Sequence, residues 1–147
     1  MTVIETGDVE RWKPVKMVYT SRSGANAHAY GLQREADGAV AIVEGSTLIS
    51  DDKDSCPVIV RADLLVDLRA GRITAQPDRL IRVVAPIVCV YRAPSAAAEY
   101  VGAASLNGNA YWLPDATRTE RMIPKGRIAC PLNVRRIATS PPAPTAV

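Results

Sequence analysis

Phenylalanine is absent from the 147-residue sequence, and aromatic residues make up only 5% of it. A core must therefore be filled by Val, Ile, Leu and Ala around a few Tyr and Trp side chains. A long apolar run is missing too, since the longest nearly uncharged stretch, residues 83–91, is too short to span a bilayer. Near the start, Glu5, Asp8 and Glu10 stand where a signal peptide has a basic segment and an apolar run. We therefore expect no membrane association.

Histidine and cysteine are scarce, which limits the available chemistry. His28 is the only histidine, and the three cysteines, Cys56, Cys89 and Cys130, are widely spaced without a Cys-x-x-Cys pair. Catalytic triads, zinc sites and disulfide frameworks all need richer sets of these residues. A glycine-rich phosphate loop is also missing. The sequence predicts a cytoplasmic protein with reduced thiols, no metal site, no cofactor and no enzymatic activity.

The remaining composition is that of an ordinary globular domain. Hydrophobic residues make up 48% of the chain and charged residues 22%, so the signature of disorder is absent. The net charge of +3 comes from scattered basic residues, which permits binding to nucleic acid without requiring it. We expect an N-terminal arm at residues 1–14, one globular domain at residues 15–136, and a flexible Pro-rich tail at residues 137–147.

Strand and turn signals dominate the first third of the chain. Strands are predicted at residues 16–21, 26–33 and 39–44. Asp37-Gly38 is expected to form a two-residue hairpin turn between the last two of these strands. Such short connections favour antiparallel pairing.

A one-sided helix is predicted between Pro57 and Gly71, because proline favours a helix start and glycine favours a stop. Its apolar residues recur at helical spacing and are expected to face a sheet: Val60, Leu64, Leu65 and Leu68. Its charged residues are expected to face solvent: Arg61, Asp63, Asp67 and Arg69.

The second half of the chain predicts further strand sequence and another helix. Residues 79–91 are β-rich and are interrupted by Pro86, which cannot donate to a sheet ladder. Ser95 is the expected N-cap of a short Ala-rich helix that ends near Gly102.

A turn at Asn107-Gly108 and a strand at residues 110–113 complete the predicted order β-β-β-α-β-α-β. This order predicts an α+β fold, in which a small, mostly antiparallel sheet carries two helices packed on one face.

Three segments of the chain resemble the domain of unknown function 4357 family. They are GANAHAYG at residues 24–31, AVAIVEGST at residues 39–47, and APSAAAEYVGAASLNGNAYW at residues 93–112. Family members are commonly appended to GIY-YIG nucleases and restriction-system subunits, and the third segment is distantly similar to the restriction enzyme and adenine methylase associated domain. The resemblance implies that the chain recognises DNA, including modified DNA, as an accessory to a separate effector protein.

The candidate contact residues for DNA lie in and beside the third segment. The start of the Ser95 helix is expected to offer backbone N–H groups and a positive dipole end to a phosphate, with Arg92 beside it. Asn107 and Asn109 are candidate amide donors, and Trp112 is a candidate for stacking on a base. Each also has an ordinary structural interpretation, in which Ser95 is a cap, Asn107 a turn residue and Trp112 part of the core.

Two other functions stay open at the level of sequence. The chain could be a protein-interaction module or regulator that docks on a defence enzyme through Trp12 in the N-terminal arm and through exposed apolar strand edges. It could also be an enzyme whose cleft the sequence does not reveal.

Overall fold

The computed structural model describes residues 9–21, 24–50, 56–77, 79–104, 106, 108–124 and 136–137, with backbone alone at 108, 109, 136 and 137. In chain order, the elements within these residues are β1 (Val9–Thr20), β2 (Asn26–Arg34), β3 (Val40–Val43), β4 (Thr47–Ile49), α1 (Val58–Arg69), β5 (Ile73–Ala75), β6 (Leu80–Val83), β7 (Ile87–Tyr91), α2 (Pro94–Gly102), α3 (Gly108–Tyr111), β8 (Leu113–Pro114), β9 (Arg121–Pro124) and β10 (Arg136–Ile137).

The strands of the described ranges form two antiparallel sheets. The larger sheet has the order β10-β7-β3-β2-β1-β8, and β9 pairs with the other end of β1. The smaller sheet has the order β4-β6-β5. The structure confirms the predicted α+β class with a mostly antiparallel sheet, because short connections join β1 to β2 and β2 to β3.

The two faces of the larger sheet pack differently, following the period-2 alternation of strand residues. Val15 and Met17 of β1 are buried on the inner face, together with Ala27 and Ala29 of β2 and one side of each long helix. A second cluster lies on the outer face: Trp12, Leu32, Ala39, Ala41, Val90 and Ile123. The remainder of the outer face is exposed along the paired ends of β1 and β2, where Val18 lies opposite His28.

The structure describes residues 9–14 of the expected N-terminal arm, and these form the first half of β1. The prediction of an arm is wrong for this part of the chain. Trp12 pairs with Arg34 across the sheet and is fully buried in the cluster on the outer face, beside Leu32 and Ile123 of the neighbouring strands. Residues 1–8 of the arm and 138–147 of the tail lie outside the described residues. Ile137, assigned to the tail, belongs to β10.

The hairpin between β2 and β3 is confirmed, but its turn is longer than predicted. The Arg34 N–H donates to the Ala39 carbonyl oxygen at 2.8 Å, so residues 35–38 form the loop. Gly38 takes the positive φ of +80°, whereas the Asp37 carboxylate accepts a hydrogen bond from the Ala39 N–H at 3.1 Å. The side-chain contact of Asp37 therefore replaces the tight two-residue geometry.

The first long helix forms where the sequence predicts it, but with a different buried face. Val60, Leu64 and Asp67 are buried, whereas Leu65 and Leu68 are exposed. Asp67 was expected on the solvent side; it faces inward because two donors, described below, satisfy its carboxylate.

The second long helix begins two residues earlier than predicted, because its N-cap is Ala93 instead of Ser95. Pro94 at the first helical position suits the helix because it has no N–H to satisfy. The helix ends at Gly102, as predicted. The expected strand at residues 110–113 is mostly wrong, since α3 covers residues 108–111 and β8 starts only at Leu113.

Candidate functional site

The start of α2 carries an exposed cation and lacks a side-chain cap. Arg92 directly follows the last residue of β7 and is exposed. The backbone of Ala93 is extended, with φ −120° and ψ 138°. Ala93 has no side-chain oxygen to accept the first helical N–H groups, and the first turn contains no acidic residue. The positive end of the helix dipole is therefore not neutralised by a carboxylate of its own first turn.

Trp112 holds this helix start against the sheet. Its indole Nε1 donates to the Pro94 carbonyl oxygen at 3.1 Å, and its ring lies 3.4 Å from where a Cβ would stand on Gly31. Only 7% of the residue is exposed. Trp112 is thus part of the core, and its buried ring does not offer an open face for stacking on a base.

The structure brings together only part of the predicted contact set. Arg92 is exposed and Ser95 is half-buried in the first turn of α2, close to Trp112 through the Pro94 contact. Asn107 lies outside the described residues. Asn109 belongs to α3 by its backbone, and its side chain is likewise outside the description.

The three sequence segments at residues 24–31, 39–47 and 93–112 meet one another in the fold. Gly31 of the first segment faces Val40 and the Ala41 carbonyl oxygen of the second, where an added Cβ would stand 3.2 and 3.0 Å from them. The other neighbour of Gly31 is Trp112 of the third segment. Gly31 and Trp112 therefore serve packing between the segments, and among the candidates with described side chains Arg92 and Ser95 keep access to solvent.

The Gly45-Ser46 pair near the end of the second segment has a structural role. The Ser46 hydroxyl accepts the Tyr30 N–H at 2.8 Å and lies 2.8 Å from the Val43 carbonyl oxygen, which it can donate to. Gly45 supplies the positive φ of +91° that turns the chain towards β4. The pair lies in the connection from β3 to β4 and ties it to β2, and it is not a phosphate-binding loop.

A buried polar cluster connects α1 with α2 and was missed by the sequence analysis. Asp67 is fully buried, and its carboxylate accepts hydrogen bonds from the Tyr100 hydroxyl at 2.5 Å and from Arg72 Nε at 2.9 Å. Burial raises the pKa of Tyr100 well above its ordinary value, with the neighbouring Asp67 carboxylate as a further cause. Nearby, the Tyr91 hydroxyl donates to Asp63 at 2.7 Å.

This cluster had one usable signal in the sequence. Asp67 follows Val60 by seven residues and Leu64 by three, which places it on the same side of the helix as those buried residues. Because all of its members but Asp63 are buried, the cluster positions helices and does not form an open reaction site.

Docking through an exposed Trp12 is not compatible with the fold. The indole is fully buried, and the Arg34 guanidinium lies 5.3 Å from its ring centroid. Arg34 in turn pairs with Glu10 at 2.9 Å and Asp37 at 2.6 Å, which raises the pKa of Arg34 further above its ordinary value. The indole Nε1 has no hydrogen-bond partner within the part of the chain that the structure describes.

The exposed part of the outer sheet face carries a second set of cations. The Arg118 guanidinium lies 4.1 Å from the Tyr30 ring centroid, and Arg118 also approaches Asp115 at 3.6 Å. Lys16 is exposed and pairs with Tyr30 across the strands. The tyrosine ring is thus covered by an arginine of the same chain.

Two general features bear on function. Among the described residues, no group of three or more His, Cys, Asp or Glu side chains is arranged to hold a metal ion. Within the same residues, every helix is too short or too polar to cross a membrane.

Comparison with protein-family models, with curated proteins and with solved structures finds no match to this chain.

Proposed function

We propose that this protein is a non-catalytic DNA-binding domain that acts with a separate effector protein in a restriction or defence system. The observation that carries the proposal is the start of α2, where exposed Arg92 precedes a helix that has neither a side-chain cap nor an acid in its first turn. The resemblance of three segments to a family found beside nucleases and restriction subunits supports DNA as the ligand class.

A phosphate is the part of DNA that this surface suits. Backbone N–H groups and the positive end of the dipole favour an anion at a helix N-terminus. Arg92 adds a guanidinium that can form charge-assisted hydrogen bonds with phosphate oxygens. Pro94 has no N–H, so the donors of this turn belong to Ser95 and Ala96.

The burial of Trp112 changes the expected mode of binding. With the ring in the core, the surface contacts the sugar-phosphate backbone and base stacking by Trp112 plays no part. Such contacts position a protein on DNA but carry little sequence information. Preference for a modified base would then fall to Asn107, Asn109 or the effector protein.

Substitution of Arg92 tests this function. We expect Arg92→Ala to weaken binding to a fluorescein-labelled duplex about tenfold at low salt, because it removes one charge-assisted phosphate contact. Fluorescence anisotropy at several salt concentrations measures this loss, and the slope of log affinity against log salt should decrease in magnitude by about 1.

Arg69→Ala is the matched control, since it removes an exposed arginine from the end of α1. It should leave both the affinity and the salt slope close to those of the unaltered protein. The proposal fails if the unaltered protein binds no DNA at low salt, or if the two substitutions weaken binding equally.

A further inference from the structure

A buried carboxylate lies beside the exposed part of the outer sheet face, directly after β8. The Asp115 side chain is fully buried, and its Oδ1 accepts hydrogen bonds from the Thr117 N–H at 3.1 Å and the Thr117 hydroxyl at 2.6 Å. Its Oδ2 has no hydrogen-bond partner among the described residues. The Thr117 contacts and, after them, the positive charges of Lys16 and Arg118 keep the pKa of Asp115 below its ordinary value. Oδ2 is therefore a charged acceptor that still lacks a donor.

Arg118 lies next to this carboxylate without forming a hydrogen bond to it. Its guanidinium is 4.1 Å from the Tyr30 ring centroid, whereas its Nε is 3.6 Å from Asp115 Oδ2, which is too long for a hydrogen bond. The Arg118 N–H donates to the Asp115 carbonyl oxygen at 3.3 Å, so one tight turn holds both residues and limits how the guanidinium approaches Oδ2. The Arg118 side chain is 41% exposed and can therefore move away from the ring.

The surface around the Tyr30 ring carries exposed apolar side chains. Lys16 pairs with Tyr30 on one side and with Leu113 of β8 on the other, so these three side chains share the outer face. Leu113 is 56% exposed, and Val18, two residues further along β1, is 51% exposed. Arginine and tyrosine are among the residues that most often anchor protein interfaces, where surrounding contacts exclude water. An arginine on this ring would have such contacts on both sides.

We propose that the Tyr30 ring and the Asp115 carboxylate form a binding site for an arginine side chain of a partner protein, and that Arg118 occupies this site until the partner displaces it. The incoming guanidinium stacks on the ring as that of Arg118 does, and it also donates to Oδ2, a hydrogen bond that Arg118 does not make. A lysine fits less well, because its ammonium is strongly hydrated and has no plane to stack on the ring. The site lies on the outer face of the larger sheet, whereas α2 packs on the inner face, so it is separate from the surface proposed for DNA.

Two short peptides provide the probe. They are the acetylated and amidated pentapeptides Ala-Leu-Arg-Leu-Ala and Ala-Leu-Lys-Leu-Ala, which differ only in the central cation. Amide chemical shifts of ¹⁵N-labelled protein measure their binding, since this method detects weak complexes. We expect the arginine peptide to bind about threefold more tightly than the lysine peptide, or better, because only the guanidinium stacks on the ring. The shifts should be largest at Tyr30, Asp115 and Thr117.

Arg118→Ala should raise the affinity for the arginine peptide about threefold or more, because it removes the group that competes for the site. A purely structural role of Arg118 predicts no such gain. Arg69→Ala is the matched control, since it removes an exposed arginine from α1, and it should leave peptide binding unchanged.

Two further variants remove the parts of the site itself. Tyr30→Leu should weaken binding of the arginine peptide about threefold or more, because it removes the aromatic ring but keeps an apolar side chain. Asp115→Asn should weaken it as well, since the charge is lost while the amide oxygen can still accept the Thr117 N–H. Circular dichroism checks that each variant folds, and if one does not, the other and Arg118→Ala decide.

Three outcomes would overturn the proposal. The first is equal binding of the two peptides, or no binding of the arginine peptide to Arg118→Ala. The second is an affinity for the arginine peptide that folded Tyr30→Leu and Asp115→Asn leave unchanged. The third is a dimer of this chain, detected by light scattering, that Tyr30→Leu dissociates, since a second copy would then supply the arginine. DNA binding should be the same in Tyr30→Leu as in the unaltered protein, so failure here is distinct from failure of the DNA proposal.

Discussion

The buried carboxylate of Asp67 is hydrogen-bonded by two donors from other parts of the chain. The Tyr100 hydroxyl reaches it from α2, and Arg72 reaches it from the connection to β5. A buried charge is tolerated only when it is paired and hydrogen-bonded, so these contacts fix how α1 lies against α2. Sequence reasoning placed Asp67 on the solvent side because residue type was given more weight than its helical phase with Val60 and Leu64.

We expect Tyr100→Phe to lower the free energy of unfolding by about 1–3 kcal/mol, because it removes one donor from a buried carboxylate. Urea denaturation followed by circular dichroism measures the change. Tyr19→Phe is the control: its hydroxyl makes no hydrogen bond with the described residues, so stability should change by less than about 0.5 kcal/mol. A similar loss in both variants would contradict the role assigned to the Asp67 contact.

The stability of Tyr100→Phe should also depend less on alkaline pH than that of the unaltered protein. Burial raises the pKa of Tyr100 in the folded protein, while the unfolded chain ionises at about pH 10. The contribution of Tyr100 is therefore fully present below about pH 10 and is lost as the pH rises above it. The melting temperature of the unaltered protein should fall in that range more steeply than that of Tyr100→Phe.

At the scale of elements, β3 pairs with only the last part of β2. Along the same edge, the earlier part of β2 is bound by two side chains of the β3–β4 region. The fully buried Ser46 hydroxyl accepts the Tyr30 N–H at 2.8 Å, and the half-buried Thr47 hydroxyl accepts the His28 N–H at 2.8 Å. The two contacts have the same geometry but differ in access to water.

Ser46→Ala should lower the free energy of unfolding by about 1–3 kcal/mol, because the Tyr30 N–H is left without a partner in a dry site. Thr47→Ala should cost only about 0.5–1 kcal/mol, since water can replace the lost acceptor. Thermal or urea denaturation of both variants checks the order. If Thr47→Ala is the more damaging change, burial does not determine the strength of these contacts.

The predictability of each element depends on its length and on what fixes its ends. The second half of β1, the strands β2 and β3 and the helix α1 follow from period-2 and 3.6-residue patterns and from Pro57, Gly38 and Gly71, whereas the first half of β1 was predicted as an arm. The strands β4 and β5 have three residues each, too few to show a period, and depend on pairing with β6. The start of α2 lies two residues before the predicted one, because Pro94 suits the first helical position and outweighs Ser95 as a cap.

At the scale of the whole molecule, the α+β class was predictable, but the exposure of individual side chains was not. Trp112 and Trp12 both came from the sequence as candidate contact residues, and both are buried by elements distant in the chain. The apolar side of α1 was missed for the converse reason, since the 3.6-residue pattern does not reveal which apolar residues lack a covering element. Among the candidates whose side chains the structure describes, Arg92 is exposed, Ser95 is half-buried and Trp112 is buried.

The DNA binding that we propose rests on one surface, the start of α2. The most direct test is a titration of ¹⁵N-labelled protein with a short DNA duplex at low salt, followed by amide chemical shifts. We expect the largest changes in amide chemical shift at Arg92, Ser95 and Ala96, and we expect these changes to diminish as salt is added. Shifts concentrated on α1 or on the outer sheet face around Lys16, or no shifts at all, would contradict it.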